Sequence, residues 1–349
     1  MERLDKVLAS PRLEIQEAMR QLDAAGTGAL LLRGENGVCA GLLTDGDVRR
    51  AFLRGVPFKE PCVSIASRRP LVAQLSGTAA EWRRLMNRND VNHLPLIDDS
   101  GCAVGLLLRR DLMDDDNSRL SAVIMAGGFG TRLMPLTDDM PKPMLPVGDR
   151  PLMERTVESL RRAGIRNVNV TTHYLAEQIS AHFRDGHDFG VELRYVSEEH
   201  PLGTAGGLSL LSEPSGPLLV INGDVLTSVD FRKLLRFHQE NLADLTMAVR
   251  RYETEIPYGV IDGDGPYVRG LREKPKLQFL VNAGIYILEP RVFDLIPAGT
   301  RFDMTDLVQR LLELGRRVAN FPIMEYWLDI GQHKDYAKAL EDAKAGMIS

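Results

Sequence analysis

The residue types best suited to chemistry lie in one stretch, AVIMAGGFGTRLMPLTDDMPKPMLPVG, which spans residues 122–148. Three glycines, Gly127, Gly128 and Gly130, follow its apolar start. Glycine lets a backbone turn sharply and approach a ligand, so that its N–H groups can face phosphate oxygens. The spacing matches neither the P-loop nor the dinucleotide-binding glycine pattern, and a tight turn without a ligand would look the same. The glycines alone therefore suggest phosphate binding without requiring it.

Two cations in the same stretch favour the phosphate interpretation. Arg132 offers a planar fork that suits a di- or triphosphate, and Lys142 offers a compact charge. Pro141 and Pro143 restrict the backbone on both sides of Lys142. A surface lysine without a ligand gains nothing from such rigidity. The stretch therefore predicts a site at which both cations meet phosphate groups.

Strands and helices alternate through the part of the chain that must position this site. The predicted strands are AVIM, NVNVTT, ELRYVS, PLLVIN and LTMAV, and the predicted helices between them are PLMERTVESLRRAG, YLAEQISAHFRDG and DFRKLLRFHQEN. This alternation predicts a mainly parallel sheet that is covered on both faces. Ligands of such sheets bind at the C-terminal ends of the strands.

Length, charge and cysteine content limit the class of protein. The 349 residues suffice for two or three domains, and the three cysteines are too widely spaced to suggest a disulfide framework or a zinc site. Residues 1–119 carry equal numbers of basic and acidic side chains, so the net charge of −5 arises in the remainder and no basic nucleic-acid surface is expected. The N-terminus lacks a signal-peptide pattern, and no apolar run reaches the roughly 20 residues of a membrane span. We expect a reduced, cytoplasmic protein.

The first third of the chain contains an internal repeat. GVCAGLLTDGDV (37–48) aligns with GCAVGLLLRRDL (101–112) at an offset of 64 residues, which pairs Asp47 with Asp111. Each copy is predicted to form a helix, a short apolar strand, a polar turn, a second strand and another helix. One copy is too small to bury both faces of its sheet, so the two should pack as one unit.

This repeat resembles a tandem pair of cystathionine-beta-synthase (CBS) domains, at roughly 1–60 and 61–117. Such modules often bind adenine nucleotides and regulate an attached enzyme. In that family a Thr or Ser three residues before an Asp contacts phosphate and ribose. The first copy keeps this pattern as Thr44 and Asp47, whereas the second keeps Asp111 but has Leu108 in place of the hydroxyl. Alternatively, both aspartates simply cap helices.

The string GGFGTRLMPLTDDMPKPMLPVG resembles the signature of the sugar-1-phosphate nucleotidyltransferases, or nucleotide-sugar pyrophosphorylases. The resemblance covers roughly residues 119–349 and implies a Rossmann-like α/β domain with a mixed, mainly parallel sheet, preceded here by the α+β CBS pair. DDDNS at 114–118 is the predicted connector. The final segment, HKDYAKALEDAKAG, is predicted as an amphipathic helix. We therefore expect neither the C-terminal left-handed β-helix of acetyltransferase-fused relatives nor their second activity.

The same resemblance implies the residues of the site. The implied nucleotide-binding residues are Met125, Ala126, Gly127, Gly128, Gly130, Thr131, Leu202, Gly203, Thr204 and Gly223. The implied sugar-binding residues are Tyr258, Gly259, Glu273 and Asn282. The implied ligands of Mg²⁺ are Asp224, at the end of PLLVINGD, and Asp329, in YWLDIG. Two carboxylates from distant segments suit Mg²⁺, which also takes phosphates and water.

In the implied reaction, an oxygen of a sugar 1-phosphate attacks the α-phosphorus of a nucleoside triphosphate in line and releases pyrophosphate. Arg132 would hold the leaving pyrophosphate, while Lys142 and Lys274 would hold the α-phosphate region and the sugar phosphate. Structural alternatives remain for several segments. Asp224 could form only a turn, Thr204 could cap the helix that follows it, and exposed Glu–Lys pairs such as the one in REKP are common.

The substrates are inferred from finer similarities. LGTAGGL and FDMTDLV (302–308) are most similar to the mannose-1-phosphate guanylyltransferases, and the CBS fusion resembles glucosamine-1-phosphate guanylyltransferases that supply legionaminic acid synthesis. We expect GTP and glucosamine 1-phosphate, with mannose 1-phosphate, UTP, dTTP or CTP as alternatives. A nucleotide-sensing regulatory subunit without catalysis is an alternative of another class. Because CBS pairs commonly dimerise, we expect a homo-oligomer, either a dimer or a tetramer.

Overall fold

A computed structural model describes residues 4–34, 37–112 and 120–348 of the chain. The predicted connector at 114–118 lies outside the described residues. Internal contacts divide the chain into two compact units, Met1–Ser118 and Arg119–Ser349. Each unit has its own sheets and its own buried core. None of the described helices combines the length and the apolar character that crossing a membrane requires.

The first unit contains two small sheets with the same arrangement. Its strands are β1 (Leu8–Ala9), β2 (Ala29–Arg33), β3 (Cys39–Thr44), β4 (Ala73–Gln74), β5 (His93–Ile97) and β6 (Ala103–Leu108). Its helices are α1 (Leu4–Val7), α2 (Ile15–Ala25), α3 (Asp45–Leu53) and α4 (Ala79–Asn89). In each sheet, β1–β2–β3 or β4–β5–β6, the first pair of strands is parallel and the second is antiparallel. The internal repeat of the sequence is therefore also a repeat of the fold.

The two copies share a buried core. Leu31 of β2 and Leu42 of β3 belong to the same apolar cluster as Leu106 and Leu108 of β6. The imidazole Nε2 of the buried His93, in β5, lies 3.0 Å from the carbonyl oxygen of Thr27, in the other copy. Each half therefore buries apolar surface that it could not cover alone, which is why the repeat forms one unit.

The second unit is built around a seven-stranded sheet. Its strands are β7 (Ser121–Met125), β8 (Pro146–Val147), β9 (Arg150–Pro151), β10 (Asn167–Thr172), β11 (Glu192–Ser197), β12 (Leu218–Asn222), β13 (Val225–Thr227), β14 (Leu245–Glu255), β15 (Val260–Asp264), β16 (Tyr267–Arg272), β17 (Lys276–Leu288), β18 (Val318–Pro322) and β19 (Trp327–Asp329). Its helices are α5 (Leu152–Arg162), α6 (Ala176–Phe183), α7 (Gly203–Gly206), α8 (Phe231–Glu240), α9 (Met304–Glu313) and α10 (His333–Lys344).

The central sheet has the order β11–β10–β7–β12–β17–β14–β18. All neighbouring pairs are parallel except the two that involve β17, which runs antiparallel to β12 and β14. The predicted mixed, mainly parallel α/β sheet is thus confirmed. Beyond the sheet, β14 and β17 continue as a two-stranded arm, and β15 and β16 form a separate antiparallel ribbon.

Both faces of the sheet are covered, as the alternation of strands and helices predicted. One face packs on α5, whose Met153, Val157 and Leu160 recur at helical spacing and are fully buried. The other face packs on α9 through Leu307 and Leu311. Since the helices cover the faces, the strand ends are left to form a ligand site.

The C-terminal helix α10 packs against the glycine-rich stretch. Its Ala339 shares a buried cluster with Leu133, which follows Arg132, and with Leu145, which ends the turn that begins at Lys142. The hydroxyl of Tyr336 donates a hydrogen bond to the carbonyl of Pro146 (2.8 Å). The predicted terminal amphipathic helix is therefore present, and it fixes the backbone that carries Lys142.

Candidate active site

A cavity of about 210 Å³ opens where strands of the central sheet end. Because β7, β10, β11 and β12 are parallel, their C-terminal residues reach the same edge of the sheet. The cavity is lined by Met125, Ala126, Gly127, Gly128, Lys142, Pro143, Thr171, Glu198, Pro201, Gly203, Thr204, Asn222, Gly223 and Asp224. Seven of the ten implied nucleotide-binding residues are in this lining; Gly130, Thr131 and Leu202 are not.

The glycine-rich loop leaves β7 and is anchored away from the cavity. Gly130 has a φ of 66°, and a Cβ there would lie 2.9 Å from Thr137 Cγ2, so only glycine fits this turn. The Thr137 hydroxyl donates to the Gly130 carbonyl (2.9 Å), and Tyr174 donates to the Asp138 carbonyl (2.7 Å). By contrast, a Cβ at Gly128 would meet open space. The backbone at Gly128 is therefore free to face a ligand.

Lys142 is held against a carboxylate in the lining of the cavity. It begins a short 3₁₀ turn, Lys142–Met144, whose preceding residue is Pro141. Its ammonium donates to Asp224 Oδ2 at 2.7 Å, and the two side chains are 11% and 25% exposed. Pro141 and Pro143 thus restrict the backbone on both sides of Lys142, and the lysine side chain lies within the site and not on the open surface. Arg132, in the turn Thr131–Leu133, is exposed.

The two implied metal aspartates lie on adjacent segments. Strand β13, which follows Asp224, pairs with β19 so that Val225 faces Asp329, and the Ile330 N–H donates to the Asp224 carbonyl (3.0 Å). The surrounding protein raises the pKa of Asp329 by desolvation, and the Asp224 carboxylate raises it further, whereas Lys142 and Arg132 act in the opposite direction. Asp329 nevertheless remains exposed, and it is not among the residues that line the cavity. Two carboxylates therefore share one electrostatic environment.

The residues present fit a divalent cation. Asp224 Oδ1 is buried and has no hydrogen-bond partner among the residues that the structure describes. An unsatisfied buried carboxylate oxygen is costly unless a ligand takes it, and Mg²⁺ prefers one or two carboxylates together with phosphate and water. Within residues 4–34, 37–112 and 120–348, His, Cys, Asp and Glu side chains form no group of three or more that could hold a metal ion.

Glu198 is a cavity residue that the sequence analysis missed. It follows β11 directly, is 6% exposed, and accepts a hydrogen bond from the Leu202 N–H through Oε2 (2.9 Å). Its other oxygen, Oε1, would lie 3.2 Å from a Cβ at Gly127 and 2.9 Å from one at Gly207. The two glycines thus make room for a buried acidic group beside the glycine-rich loop. Its neighbour Glu199 is exposed, and the sequence EE contains no signal that separates the two.

The segments LGTAGGL and FDMTDLV, which both resemble the mannose-1-phosphate guanylyltransferases in sequence, lie against each other. Phe302 exchanges backbone hydrogen bonds with Leu202 (2.8 Å), Ala205 (3.0 Å) and Gly206 (2.8 Å). The Thr204 hydroxyl accepts from the Met304 N–H (2.8 Å) at the start of α9. Thr204 therefore does not cap the helix that follows it, as the structural alternative proposed, because a distant helix takes its hydroxyl.

None of the implied sugar-binding residues lines the 210 Å³ cavity, and Tyr258, Gly259 and Glu273 lie in the connections at the base of the ribbon. Tyr258 is 74% exposed, and a Cβ at Gly259 would lie 3.1 Å from Glu273 Oε2. Lys274 has a φ of 45° in the turn between β16 and β17. Glu273 and Lys274 are both exposed. An exposed group therefore lies at the base of the ribbon, and it consists of Tyr258, Gly259, Glu273 and Lys274.

Asn282 lies further along β17, beside the buried Tyr286. Its Nδ2 donates to the Tyr286 hydroxyl (2.6 Å), and its Oδ1 accepts from the Gly284 N–H (3.0 Å). Burial raises the pKa of Tyr286 to about 12, with a further contribution from Asp224, so the phenol stays neutral. Asn282 is thus fixed in orientation before any sugar is bound.

In the first unit, Thr44 and Asp47 form a capping box at the start of α3. The Thr44 hydroxyl donates to Asp47 Oδ2 (2.7 Å), the Asp47 N–H donates to Thr44 Oγ1 (3.2 Å), and Arg50 pairs with Asp47 Oδ1 (2.7 Å). In the second copy, Asp111 accepts from the Leu108 N–H (3.3 Å). The helix-capping alternative is therefore observed in the first copy. A nucleotide that binds there would have to contact Thr44 and Asp47 while they hydrogen-bond to each other.

Comparison with known proteins gives two family matches. The nucleotidyl transferase family model matches residues 121–346, and the CBS domain model matches residues 62–116, which is the second repeat. Among curated relatives, a mannose-1-phosphate guanylyltransferase of Mycobacterium tuberculosis is 34% identical over 66% of this chain. A UTP–glucose-1-phosphate uridylyltransferase of Synechocystis is also 34% identical, over 63% of this chain.

Solved structures share the fold of the second unit. Two crystal structures of HddC from Yersinia pseudotuberculosis, the second complexed with GMP-PN, are 28% and 26% identical and have TM-scores of 0.51 and 0.50. Both cover 64% of this chain and 99% of HddC. The curated alignments cover 66% and 62% of the two relatives, so the chain spans slightly less than two thirds of their length. Since the family model matches well over half of the chain, on residues that include the whole cavity, the chain belongs to the nucleotidyl transferase family.

Proposed function

We propose that this protein transfers a nucleotidyl group from a nucleoside triphosphate to a sugar 1-phosphate, which yields a nucleoside diphosphate sugar and pyrophosphate. The observation that carries the proposal is the ion pair between Lys142 and Asp224 (2.7 Å) beside the glycine-rich loop, with Asp224 Oδ1 buried and unpartnered among the described residues. The Lys142 ammonium can bind a phosphate, Asp224 Oδ1 can bind a metal ion, and the backbone at Gly128 is open to a ligand. All three groups line the same cavity at the edge of the sheet.

The proposed chemistry needs no protein nucleophile. An oxygen of the sugar phosphate, which is already an anion, bonds to the α-phosphorus, and the bond from that phosphorus to the bridging oxygen of the β-phosphate breaks. Pyrophosphate leaves with the bonding pair. The protein must therefore supply positioning and charge neutralisation. We assign the α-phosphate to Lys142, the leaving pyrophosphate to Arg132 and the sugar phosphate to Lys274.

Asp224 and Asp329 would hold Mg²⁺, which when bound neutralises charge on the phosphate oxygens. Lys142 has a second role in this arrangement. Its hydrogen bond to Asp224 Oδ2 leaves Oδ1 as the oxygen available to a cation, and it prevents the carboxylate from rotating. The backbone N–H group of Gly128 would face the phosphates, because a Cβ there would meet open space.

We infer GTP as the nucleotide, chiefly because Glu198 places a buried carboxylate in the cavity. A carboxylate can only accept hydrogen bonds, and guanine offers two adjacent donors, N1–H and N2–H. Uracil and thymine offer one donor between two carbonyl oxygens, which a carboxylate would repel. The M. tuberculosis guanylyltransferase and the HddC complex with GMP-PN support this choice, and the Synechocystis uridylyltransferase, which is also 34% identical, makes UTP the alternative.

For the sugar we propose glucosamine 1-phosphate, as in nucleotide-sugar synthesis for legionaminic acid-type products, with mannose 1-phosphate as the alternative. The C2 ammonium of glucosamine would attract the Glu273 carboxylate, which lies beside Gly259 at the base of the ribbon. Mannose has a neutral hydroxyl at C2 and gains nothing comparable. The substitution Glu273→Gln should therefore reduce activity with glucosamine 1-phosphate more than with mannose 1-phosphate.

For the first unit we propose two CBS domains, at residues 1–60 and 61–117, that bind an adenine nucleotide near Thr44 and Asp47 and regulate the transferase. The shared strand pattern of the two copies supports this, as does the family match to the second copy. We also propose a cytoplasmic homo-oligomer, whose order light scattering would measure.

The test is pyrophosphate release by the full chain with Mg²⁺. GTP, UTP, dTTP, CTP and ATP are each combined with the 1-phosphates of glucosamine, N-acetylglucosamine, mannose and glucose. Turnover with GTP and glucosamine 1-phosphate supports the whole proposal, and turnover with another base or sugar corrects only that substrate. No turnover in any combination, with and without adenine nucleotides, would favour the nucleotide-sensing regulatory subunit.

A further inference from the structure

Two buried oxygens in this protein have no hydrogen-bond partner among the described residues, and both belong to the segment Asn222–Gly223–Asp224. They are Asn222 Oδ1 and Asp224 Oδ1. Both residues line the same cavity at the end of β12. A buried acceptor without a donor costs free energy, and two neighbouring acceptors also repel each other. A pair of this kind in one cavity therefore points to a missing positive or donating group.

Asn222 and Asp224 are separated by a single glycine at the end of a strand. Asn222 is the last residue of β12, where it pairs with Met125, and Asp224 lies in the turn that leads to β13. Both residues line the cavity, and the buried Oδ1 atom of each lacks a hydrogen-bond partner among the described residues. The two oxygens are therefore available to the same ligand.

Strand β17 contains a glycine that makes room for the Asn222 amide. A Cβ at Gly284 would lie 2.7 Å from Asn222 Nδ2, which is too close for any other residue, and Gly284 has a φ of 70°. The Gly284 N–H donates to Asn282 Oδ1 (3.0 Å), which fixes the backbone at this point. The Nδ2 side of the amide thus lies against β17, and Oδ1 is the atom left for a ligand.

A hard divalent cation is the group that suits both oxygens at once. Lys142 Nζ already occupies Asp224 Oδ2, so the available atoms are a carboxylate oxygen and an amide oxygen. Side-chain carbonyl oxygens of Asn are ordinary ligands of hard cations, and they add no charge. A single water could donate to both oxygens, but unlike a cation it would add no positive charge beside the Asp224 carboxylate.

We propose that Asn222 binds the divalent cation through Oδ1, as a protein ligand in addition to Asp224 and Asp329. This inference rests on the proposed function, which implies the cation. Asn222 would add a neutral oxygen to a site whose carboxylate is already paired with Lys142. It would thereby favour cation binding without adding negative charge that opposes the nucleotide phosphates.

The test uses Mn²⁺ as the probe, with free Mn²⁺ measured by electron paramagnetic resonance, on the full chain with and without GTP and without sugar phosphate. Asn222→Ala should weaken Mn²⁺ binding about tenfold or more, the scale seen when groups that support a metal site are removed. Asn222→Asp should bind at least as tightly as the native protein, because it keeps an oxygen there. Asn169→Ala, a matched change in β10 outside the cavity lining, should leave the affinity unchanged.

The outcomes separate this inference from the proposed function. If Asn222→Ala keeps native Mn²⁺ affinity while Asp224→Asn loses it, Asn222 binds only water and the inference is wrong, even when the native protein turns over GTP. If the native protein binds no Mn²⁺ in either condition, the site does not bind a divalent cation and the inference about Asn222 is wrong. Pyrophosphate release by the native protein then decides the proposed function on its own. Should Asn222→Ala not fold, the comparison of Asn222→Asp with Asn222→Ser replaces it, and Asn222→Ser is expected to bind more weakly.

Discussion

Replacing Lys142 with methionine removes one charge from the site and keeps most of the side-chain volume. Lys142 Nζ lies 2.7 Å from Asp224 Oδ2, and the two side chains are 11% and 25% exposed. The pair is therefore neither fully buried nor open to solvent. In the native protein the ammonium holds the carboxylate, and in the proposed reaction it also faces the α-phosphate, so one substitution removes both contacts.

The expected loss in rate is about 10²-fold or more, or about 2.7 kcal/mol, the scale of losing one preorganised charge contact in a transition state. The loss in stability should be smaller. A solvent-exposed pair contributes about 0–1 kcal/mol, whereas breaking a fully buried pair costs about 3–5 kcal/mol, so we expect a value between these ranges. The variant should therefore remain folded at room temperature while its activity falls.

The assay is steady-state pyrophosphate release with GTP and the preferred sugar 1-phosphate, together with urea unfolding of the same samples. Lys338→Met is the matched control, because Lys338 pairs with Asp342 at 3.4 Å on α10 and its side chain is 59% exposed. That control should keep native activity. A loss below about fivefold for Lys142→Met with native-like unfolding would remove Lys142 from the proposed role, since it is far below the effect of a lost charge contact.

Three further predictions concern the base, the first unit and the buried carboxylate Asp244. Glu198→Gln should lower kcat/KM for GTP by about 10- to 10²-fold and change UTP little, since one bidentate base contact is worth about 1–3 kcal/mol; equal losses for both would contradict the guanine assignment. AMP or ATP should change the native rate but not that of Thr44→Asn, which can still cap α3, and a flat native response to both would exclude regulation. Burial of Asp244 opposes its ionisation, but hydrogen bonds from the Arg317 N–H and the Arg291 guanidinium lower its pKa overall. The ionised Asp244 should therefore stabilise the fold fully above about pH 5, and this contribution should be lost as the pH falls through the folded pKa. In urea unfolding, Asp244→Asn should accordingly cost about 1–3 kcal/mol at pH 7 and less as the pH falls through the folded pKa of Asp244, and a cost that does not change with pH would contradict the ion-pair explanation.

The sequence predicted much of the fold because its strands and helices have clear periodicities. The segments NVNVTT and ELRYVS are strands with the predicted bounds, Asn167–Thr172 and Glu192–Ser197. The antiparallel β17 could not be foreseen, because NAGIYIL shows nothing that distinguishes its direction from that of its neighbours. The arm and ribbon were missed for a similar reason, since exposed strands such as β15 lack the apolar alternation of a half-buried sheet.

The site was predictable only where residue type and backbone constraint coincide. Lys142 between two prolines is such a case, and the structure places it against Asp224. Glu198 and Asn222 were missed because their role depends on burial and on glycines that are distant in sequence, Gly207 and Gly284. A sequence does not show which of two adjacent glutamates is buried, nor which asparagine lacks a hydrogen-bond partner.

In the proposed reaction the guanylyl group of GTP, with its α-phosphorus, is transferred to a sugar phosphate. The most direct measurement is ³¹P NMR of the full chain with GTP, glucosamine 1-phosphate and Mg²⁺. Our account predicts two coupled diphosphate signals of a GDP-sugar and one pyrophosphate signal that grow at equal rates as both substrates decline. Inorganic phosphate and GDP without a sugar diphosphate would show cleavage at the γ-phosphorus, and that result would contradict the account.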